Sequence, residues 1–226
     1  MSWEVLQGDV REKLRELPVK GFTVGPCRLH DIRELVEKHH YSKSVNGVNS
    51  KHCFSLKAGN HVIGGAIYAG LGMANVWEKY VESENELLEL RRLVCIDEAP
   101  RNSESRLIGQ SIRWLEKNTK VKKVISYADP YYGHEGTIYK AANFKYLGES
   151  SPGRVIKYSG KRYHDKTVRA KYKNNLKPFA ARIKEALNTG EAAYEKVPGK
   201  YIYVYELKKR RQGLAGEGEQ QTIFSI

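Results

Sequence analysis

The stretch from Val121 to Gly148 constrains the fold most, because it reads as a strand, a turn and a helix in succession. Lys123 to Tyr127 is a short β-branched and aromatic run, which predicts a buried strand. The turn contains Pro130, which has no N–H to donate, and Gly133, which tolerates unusual dihedral angles. A helix is predicted from His134 to Asn143. Ligands of α/β proteins sit outside the carboxyl ends of strands, so this turn is the expected location of a site.

The turn carries more reactive side chains than a connector needs, namely a carboxylate, phenols and an imidazole close to Ser126. One interpretation is a tyrosine-rich turn that the Asp129 carboxylate merely caps. We favour a functional interpretation, in which Asp129 points into a cleft from the end of its strand. Tyr139 is predicted to project about 100° around the helix from its core-facing side.

The predicted elements run strand, helix, strands, helix, strand, helix, strands, which indicates a mixed α/β (α+β) sheet. The predicted strands are 21–28, 53–58, 61–69, 87–96, 123–127, 145–149, 155–158 and 200–207, and the predicted helices are 29–40, 103–118, 134–143 and 177–188. We divide the chain into an N-terminal arm (1–20), a catalytic domain (21–175), a C-terminal helix and strand extension (176–209) and a disordered tail (210–226).

The predicted strand from Leu87 to Ile96 carries charges within an apolar run. Strand alternation places Glu89 and Arg91 on one face and Arg92 on the other. Glu89 and Arg91 could simply neutralise each other as an ion pair. Because a charged pair is costly to bury in a core, we expect them to face a cleft.

Composition excludes two classes of protein. The sequence has no apolar run of membrane-spanning length, and its first residues do not read as a signal peptide. Cys27, Cys53 and Cys95 are odd in number and lack CxxC spacing, which favours reduced thiols in a cytosolic protein over a disulfide framework.

The net charge of +13 is concentrated between Arg154 and Lys184, where tyrosines are interleaved with the basic residues. A solvated, soluble surface would explain such a stripe. We favour a nucleic-acid interface, because cations neutralise phosphates while aromatic rings stack on bases. The residues predicted to bind DNA are Tyr41, Lys43, Arg154, Lys161, Arg162, Lys166, Arg169 and Lys171.

Two adjacent histidines, His39 and His40, end a predicted helix and precede a polar loop over residues 41–50. Histidines at a helix C-terminus also suit the helix dipole, so this pair has a purely structural explanation. Alternatively, the loop covers the active site and one imidazole acts as a ligand or base.

The run SYADPYYGHEGTIYKAANFKYLG resembles the signature segment of the phage Mu Mom family, DNA-modification proteins built on the GNAT acyltransferase fold. The resemblance covers Gly21 to about Asn175. It implies a sheet that splays between its fourth and fifth strands, with acetyl-CoA or another acyl-CoA in the gap. It matches Arg91 to a family arginine by its spacing to Asp129, and it favours His40 over His39 as the functional histidine.

GNAT enzymes hold the cofactor pyrophosphate with an R/Q-x-x-G-x-G/A loop and a helix N-terminus. The resemblance assigns this role to Arg106, Gly109, Gln110 and Ser111, with serine where glycine or alanine is usual. For acyl transfer, Asp129 would be the base, Ser126 or backbone amides the oxyanion donor, and Tyr139 the general acid.

The resemblance implies that the protein attaches a carbamoylmethyl group to the exocyclic amine of adenine and so shields phage DNA from restriction, in the host cytoplasm if it is phage-encoded. Iron held by His40 would suit the unusual carbon attachment. The adenine must be flipped out or single-stranded. The alternatives are an ordinary GNAT N-acetyltransferase acting on a small amine or a protein, and a non-catalytic nucleic-acid-binding protein.

Overall fold

A computed structural model describes residues 14–72 and 75–208. The predicted arm and tail therefore lie largely outside the described residues. The helices, in chain order, are α1 (Leu29–His39), α2 (Ser103–Asn118), α3 (Thr137–Ala141) and α4 (Pro178–Thr189). The strands are β1 (Thr23–Cys27), β2 (Ser50–Ala58), β3 (His61–Ala69), β4 (Leu87–Cys95), β5 (Lys123–Ala128), β6 (Lys145–Glu149), β7 (Gly153–Tyr158), β8 (Lys161–His164), β9 (Lys171–Tyr172), β10 (Asn175–Leu176), β11 (Ala193–Val197) and β12 (Tyr201–Glu206).

Seven strands form the main sheet in the order β1-β2-β3-β4-β5-β12-β6. The β4–β5 pair is parallel, and its ladder extends only from Leu87↔Lys123 to Glu89↔Ile125. Beyond Glu89, β4 has no partner in β5, so the two strands separate. The predicted mixed α/β sheet that splays between its fourth and fifth strands is confirmed.

The core lies between this sheet and helices α1 and α2, as the apolar spacing of both helices predicts. Ile32 and Val36 of α1, and Leu107 and Leu115 of α2, are fully buried. Gly65 of β3 permits the close approach of α1, because a Cβ there would lie 3.1 Å from the Ile32 Cβ. None of the helices in the described ranges has the length and apolar character needed to cross a membrane.

A smaller sheet, in the order β11-β7-β8, packs against α4 through its own core of Ile156, Ile183, Ala186 and Ala192. The chain enters this sheet after β6 and returns to the main sheet as β12, between β5 and β6. Strand β12 is thus a central part of the main sheet and not part of a C-terminal extension. The short strands β8 to β11 were not predicted from the sequence.

Candidate active site

The splay opens a cleft of about 660 Å³ between β4 and β5. Its walls are β4 from Glu89 onward, the end of β5, the segment 133–139 and residues 39–41. Lys200, which immediately precedes β12, also lines it. The turn and the histidine loop singled out in the sequence therefore meet at one cavity.

Strand β4 contains a bulge beside the cleft. Ile67 pairs with Arg92 and Tyr68 with Leu90, which leaves Arg91 as an extra residue in the strand. Every residue from Glu89 to Cys95 lines the cavity, so both arginines border it. Their partners differ, as placement on opposite faces predicts: Arg91 pairs with Glu89, whereas Arg92 contacts the loop after α1.

The predicted ion pair of β4 is present, with Arg91 Nε 3.4 Å from Glu89 Oε1. Burial raises the pKa of the Glu89 carboxyl, and Arg91 only partly offsets this. Glu89 faces the cleft, so it is a carboxylate whose proton affinity suits a general base. From the sequence, Glu89 was assigned only an ion pair with Arg91 and no catalytic role.

Arg92, which lies in β4, binds the loop that follows His40. Its Nε donates to the Ser44 carbonyl oxygen at 3.1 Å, and its Nη1 donates to the Arg91 carbonyl oxygen at 2.8 Å. The loop is therefore held over the cleft by a charge-assisted contact. Arg92 was not among the site residues predicted from the sequence.

Tyr139 and Ser126 lie near the point where β4 and β5 separate. Ser126 is fully buried, and its hydroxyl donates to the Leu90 carbonyl oxygen at 3.1 Å. The Tyr139 phenol lines the cavity near Ser126, and burial raises its pKa. The Ser126 hydroxyl is committed to β4 and does not line the cleft.

The ring of Tyr139 packs between two aromatic neighbours. Its centroid is 5.4 Å from that of Tyr203 in β12 and 5.6 Å from that of Phe144. Helix α3 is shorter than predicted, because Gly136 adopts a left-handed φ of 73° just before it. A Cβ at Gly136 would overlap the Tyr203 ring, whose hydroxyl donates to the Glu135 carbonyl oxygen at 2.7 Å.

Both carboxylate oxygens of Asp129 are engaged. Oδ1 accepts from the Tyr131 backbone N–H at 3.1 Å and caps the turn, and Oδ2 lies 3.2 Å from Lys200 Nζ. The cap is therefore present, whereas Asp129 itself is not among the residues that line the cavity. Lys200 is a cation of the cleft that no pattern in the sequence pointed to.

His40 is buried, and its Nδ1 accepts from the Ser42 backbone N–H at 3.1 Å. Burial, followed by the charge of Arg92, lowers its pKa to about 4. The imidazole is therefore neutral near pH 7. The described residues contain no group of three or more His, Cys, Asp or Glu side chains that could hold a metal ion. The expected iron site at His40 thus lacks a converging donor set.

The four residues predicted to hold the pyrophosphate lie inside α2 and are not among the residues that line the cavity. Arg106 donates from Nε and Nη2 to the Phe22 carbonyl oxygen at 3.0 and 2.8 Å, and Ser111 lies 2.6 Å from the Tyr68 hydroxyl. Gly109 and Gln110 are helical, because the apolar spacing extends the helix from Ser103. The amide-rich N-terminus of α2 lies near the cleft, with Glu104 in the cavity wall.

Aromatic rings surround the outer end of the cleft. The Tyr41 centroid is 4.6 Å from that of Tyr132 and 5.1 Å from that of His134. Arg162 of β8 lies over Tyr131, with its Cζ 3.3 Å from the ring centroid. The smaller sheet therefore contacts the turn of the main sheet directly.

The basic residues predicted to bind DNA differ in their surroundings. Arg154 and Arg169 both lie 3.7 Å from Asp165, which partly neutralises them. Within residues 14–72 and 75–208, three of the predicted lysines form no ion pair: Lys161, Lys166 and Lys171. Lys43 donates to the Lys38 carbonyl oxygen at the end of α1.

Comparison with known proteins identifies one family. The Mom protein family matches residues 21–221. The chain is 31% identical over 142 residues to "Methylcarbamoylase mom" of Escherichia phage Mu, a match that covers 61% of this chain and 58% of the relative. The match thus spans less than two thirds of that relative's length.

Solved structures with similar folds are acetyltransferases of low sequence identity. Arabidopsis thaliana NAA60 in complex with acetyl-CoA is 11% identical with a TM-score of 0.48, covering 82% of this chain and 98% of its own. A GNAT family acetyltransferase from Elizabethkingia anophelis with acetyl-CoA bound is 13% identical with a TM-score of 0.46, covering 83% and 99%.

Proposed function

We propose that this chain, which belongs to the Mom protein family, is a DNA-modifying transferase. Its substrate would be the exocyclic amine of adenine, and the added group would be of the carbamoylmethyl type. The name of the phage Mu relative, a methylcarbamoylase, supports this chemistry. Protection of phage DNA from restriction would be the consequence.

The observation that carries the proposal is the pairing of an acid and a base within one cleft. The Tyr139 pKa is raised, so its phenol stays protonated at neutral pH and can give a proton to a leaving thiolate. The Glu89 pKa is also raised, so its carboxylate has a higher affinity for a proton from the attacking amine. Asp129 would hold Lys200 and the turn.

Acyl-CoA is the proposed donor. The residues of β4 after Glu89 have no partner in β5, and an extended amide-containing arm can pair with such an edge. The N-terminus of α2 offers amides for phosphate. Glu104 lies in the cavity wall at this N-terminus, and its carboxylate would repel phosphate. The arm that carries the thioester would therefore supply most of the binding free energy of acyl-CoA.

Tyr139 and Glu89 account only for the proton transfers that accompany acyl transfer to an amine. Attachment through a methylene carbon requires chemistry beyond an acid and a base. The described residues around His40 do not form a set of iron ligands.

The test is nuclease digestion and mass spectrometry of DNA from cells expressing the chain. We expect a modified adenine with the wild type and with Tyr205→Phe, a matched substitution outside the cavity wall. We expect none with Tyr139→Phe or Glu89→Gln. Asp129→Asn, which keeps the shape of the turn, should also lose it. Each variant's melting temperature shows whether its fold is intact.

Other outcomes would identify other functions. Unmodified DNA together with acetylation of a small amine or a protein would establish an ordinary N-acetyltransferase. DNA binding without any transfer would indicate a non-catalytic nucleic-acid-binding protein. Calorimetry that detects no CoA binding by the folded protein would overturn acyl-CoA as the donor.

A further inference from the structure

Three tyrosines at the outer end of the cleft contact one another and yet remain exposed to solvent. Tyr41, Tyr131 and Tyr132 expose 42%, 41% and 44% of their surface. Tyr132 links the other two, with centroids 4.6 Å from Tyr41 and 5.2 Å from Tyr131. We call these three residues, together with Arg162, the mouth cluster. A contiguous exposed aromatic patch of this kind marks a binding surface more often than a core.

Arg162 gives the cluster an unsatisfied donor. Its guanidinium lies over the Tyr131 ring, with Cζ 3.3 Å from the centroid, and 5.5 Å from that of Tyr132. The Arg162 Nε is buried and has no hydrogen-bond partner. A buried unpaired donor is costly, so the site is better satisfied when an acceptor oxygen is bound.

We propose that the mouth cluster is a stacking site for an unpaired nucleotide of DNA. The base would lie on an exposed tyrosine ring, and Arg162 would bind the adjoining phosphate. Aromatic rings hold bases in this way irrespective of sequence, and a guanidinium suits phosphate geometry. This inference rests on the proposed function. It adds that the substrate is DNA whose target nucleotide is unpaired.

The position of the cluster explains why the nucleotide must be unpaired. Tyr41 belongs both to the cluster and to the wall of the catalytic cavity, so a strand resting on the cluster leads directly into the cleft. Lys161 precedes Arg162 in β8, and Lys166 lies in the short helical turn that follows this strand, so both add positive charge to this part of the chain. In closed duplex DNA the faces of the bases are hidden by their neighbours, so only the phosphate contacts remain available.

The test measures binding of the full chain to three probes by fluorescence anisotropy at one salt concentration. The probes are a single strand, a duplex with one unpaired adenine, and the closed duplex of the same sequence. We expect the wild type to prefer the first two probes. Tyr132→Leu should reduce affinity for those two by about tenfold, whereas Tyr132→Phe, which keeps the ring, should not.

Tyr194→Leu is the matched control. Tyr194 is 47% exposed and lies under Arg154, whose Cζ is 4.4 Å from its centroid, but it does not line the cavity. Tyr194 is therefore also an exposed tyrosine beside an arginine, but it lies away from the cleft. Tyr194→Leu should leave the preference for the first two probes unchanged. Equal losses from Tyr132→Leu and Tyr194→Leu would overturn the proposal.

A measurement on the wild type alone removes any dependence on how the variants fold. An unpaired 2-aminopurine, an adenine analogue whose fluorescence is quenched by stacking, should dim on binding. An unchanged or brighter signal would overturn the stacking site. If cellular DNA still carries the modified adenine in that case, the proposed function survives. If the wild type binds none of the probes and modifies no DNA, both proposals fail.

Discussion

The ammonium of Lys200 lies 3.2 Å from Oδ2 of Asp129, although the two residues are far apart in the chain. They meet because β12 pairs with β5, with Tyr201 opposite Ala128. The carboxylate that caps the turn is thus oriented by the strand that closes the sheet. The contact joins the turn to the start of β12.

We predict that Lys200→Met reduces adenine modification on the order of tenfold to a hundredfold, because small displacements of catalytic groups have effects of that size. The pair is half exposed on the lysine side, so the free energy of unfolding should fall by no more than about 1 kcal/mol. Mass spectrometry and thermal melting measure the two effects. Lys196→Met in β11 is the control, and an equal loss of modification there would contradict the prediction.

Gly136→Ala should disrupt the site and the fold together. The left-handed φ of 73° costs about 1–2 kcal/mol for alanine, and overlap with the Tyr203 ring adds about 1–3 kcal/mol. Gly133 has the same φ but nothing within 4 Å of an added Cβ, so Gly133→Ala should show the strain alone. Urea unfolding of both variants tests this, and equal midpoints would show that the Tyr203 contact is unimportant.

His40 should make the protein less stable in mild acid. Its folded pKa of about 4 lies below the ordinary 6.5, so the unfolded chain binds its proton first as pH falls. The stabilisation is complete above pH 6.5 and is lost progressively towards pH 4, by up to about 3 kcal/mol. Melting temperatures across this window measure the effect.

His40→Gln should weaken the pH dependence of stability between pH 6.5 and 4, because glutamine does not titrate. His30→Gln is the control, since the His30 side chain is 90% exposed. If both variants kept the wild-type dependence, His40 would not be the group responsible.

Lys157 and Lys166 should differ in their effect on DNA binding. Lys157 is 2.7 Å from Glu195, whereas Lys166 forms no ion pair among residues 14–72 and 75–208. If Lys166 contacts a phosphate, Lys166→Ala should reduce the slope of log affinity against log salt by about 1. Lys157→Ala should change it less. A slope unchanged by Lys166→Ala would remove this lysine from the interface.

Much of the main sheet could be predicted because its elements are set by local patterns. The apolar spacing of Ser103–Asn118 gave the bounds of α2, and the apolar runs at 53–58 and 61–69 placed β2 and β3. Of the smaller sheet only β7 was predicted, because β8 is short and β11 pairs with β7 across a long stretch of chain.

Asp129 and Tyr139 could be singled out from the sequence, because the turn after a predicted strand carries an unusual set of reactive side chains. In the structure Tyr139 lines the cleft, whereas Asp129 contacts Lys200 and the turn. Lys200 and Tyr203 could not be predicted, because the return of β12 to the main sheet brings them to the site. The residues matched to a phosphate loop lie inside α2, because their own apolar spacing makes them helical.

The insertion of β12 between β5 and β6 also bears on the order in which the chain becomes functional during synthesis. Until Tyr201–Glu206 have left the ribosome, β5 and β6 each expose an edge that only this strand can pair. Tyr139 meanwhile lacks the ring of Tyr203, and Asp129 lacks Lys200. A nascent or shortened chain can therefore complete the smaller sheet first and still carry no assembled catalytic cleft.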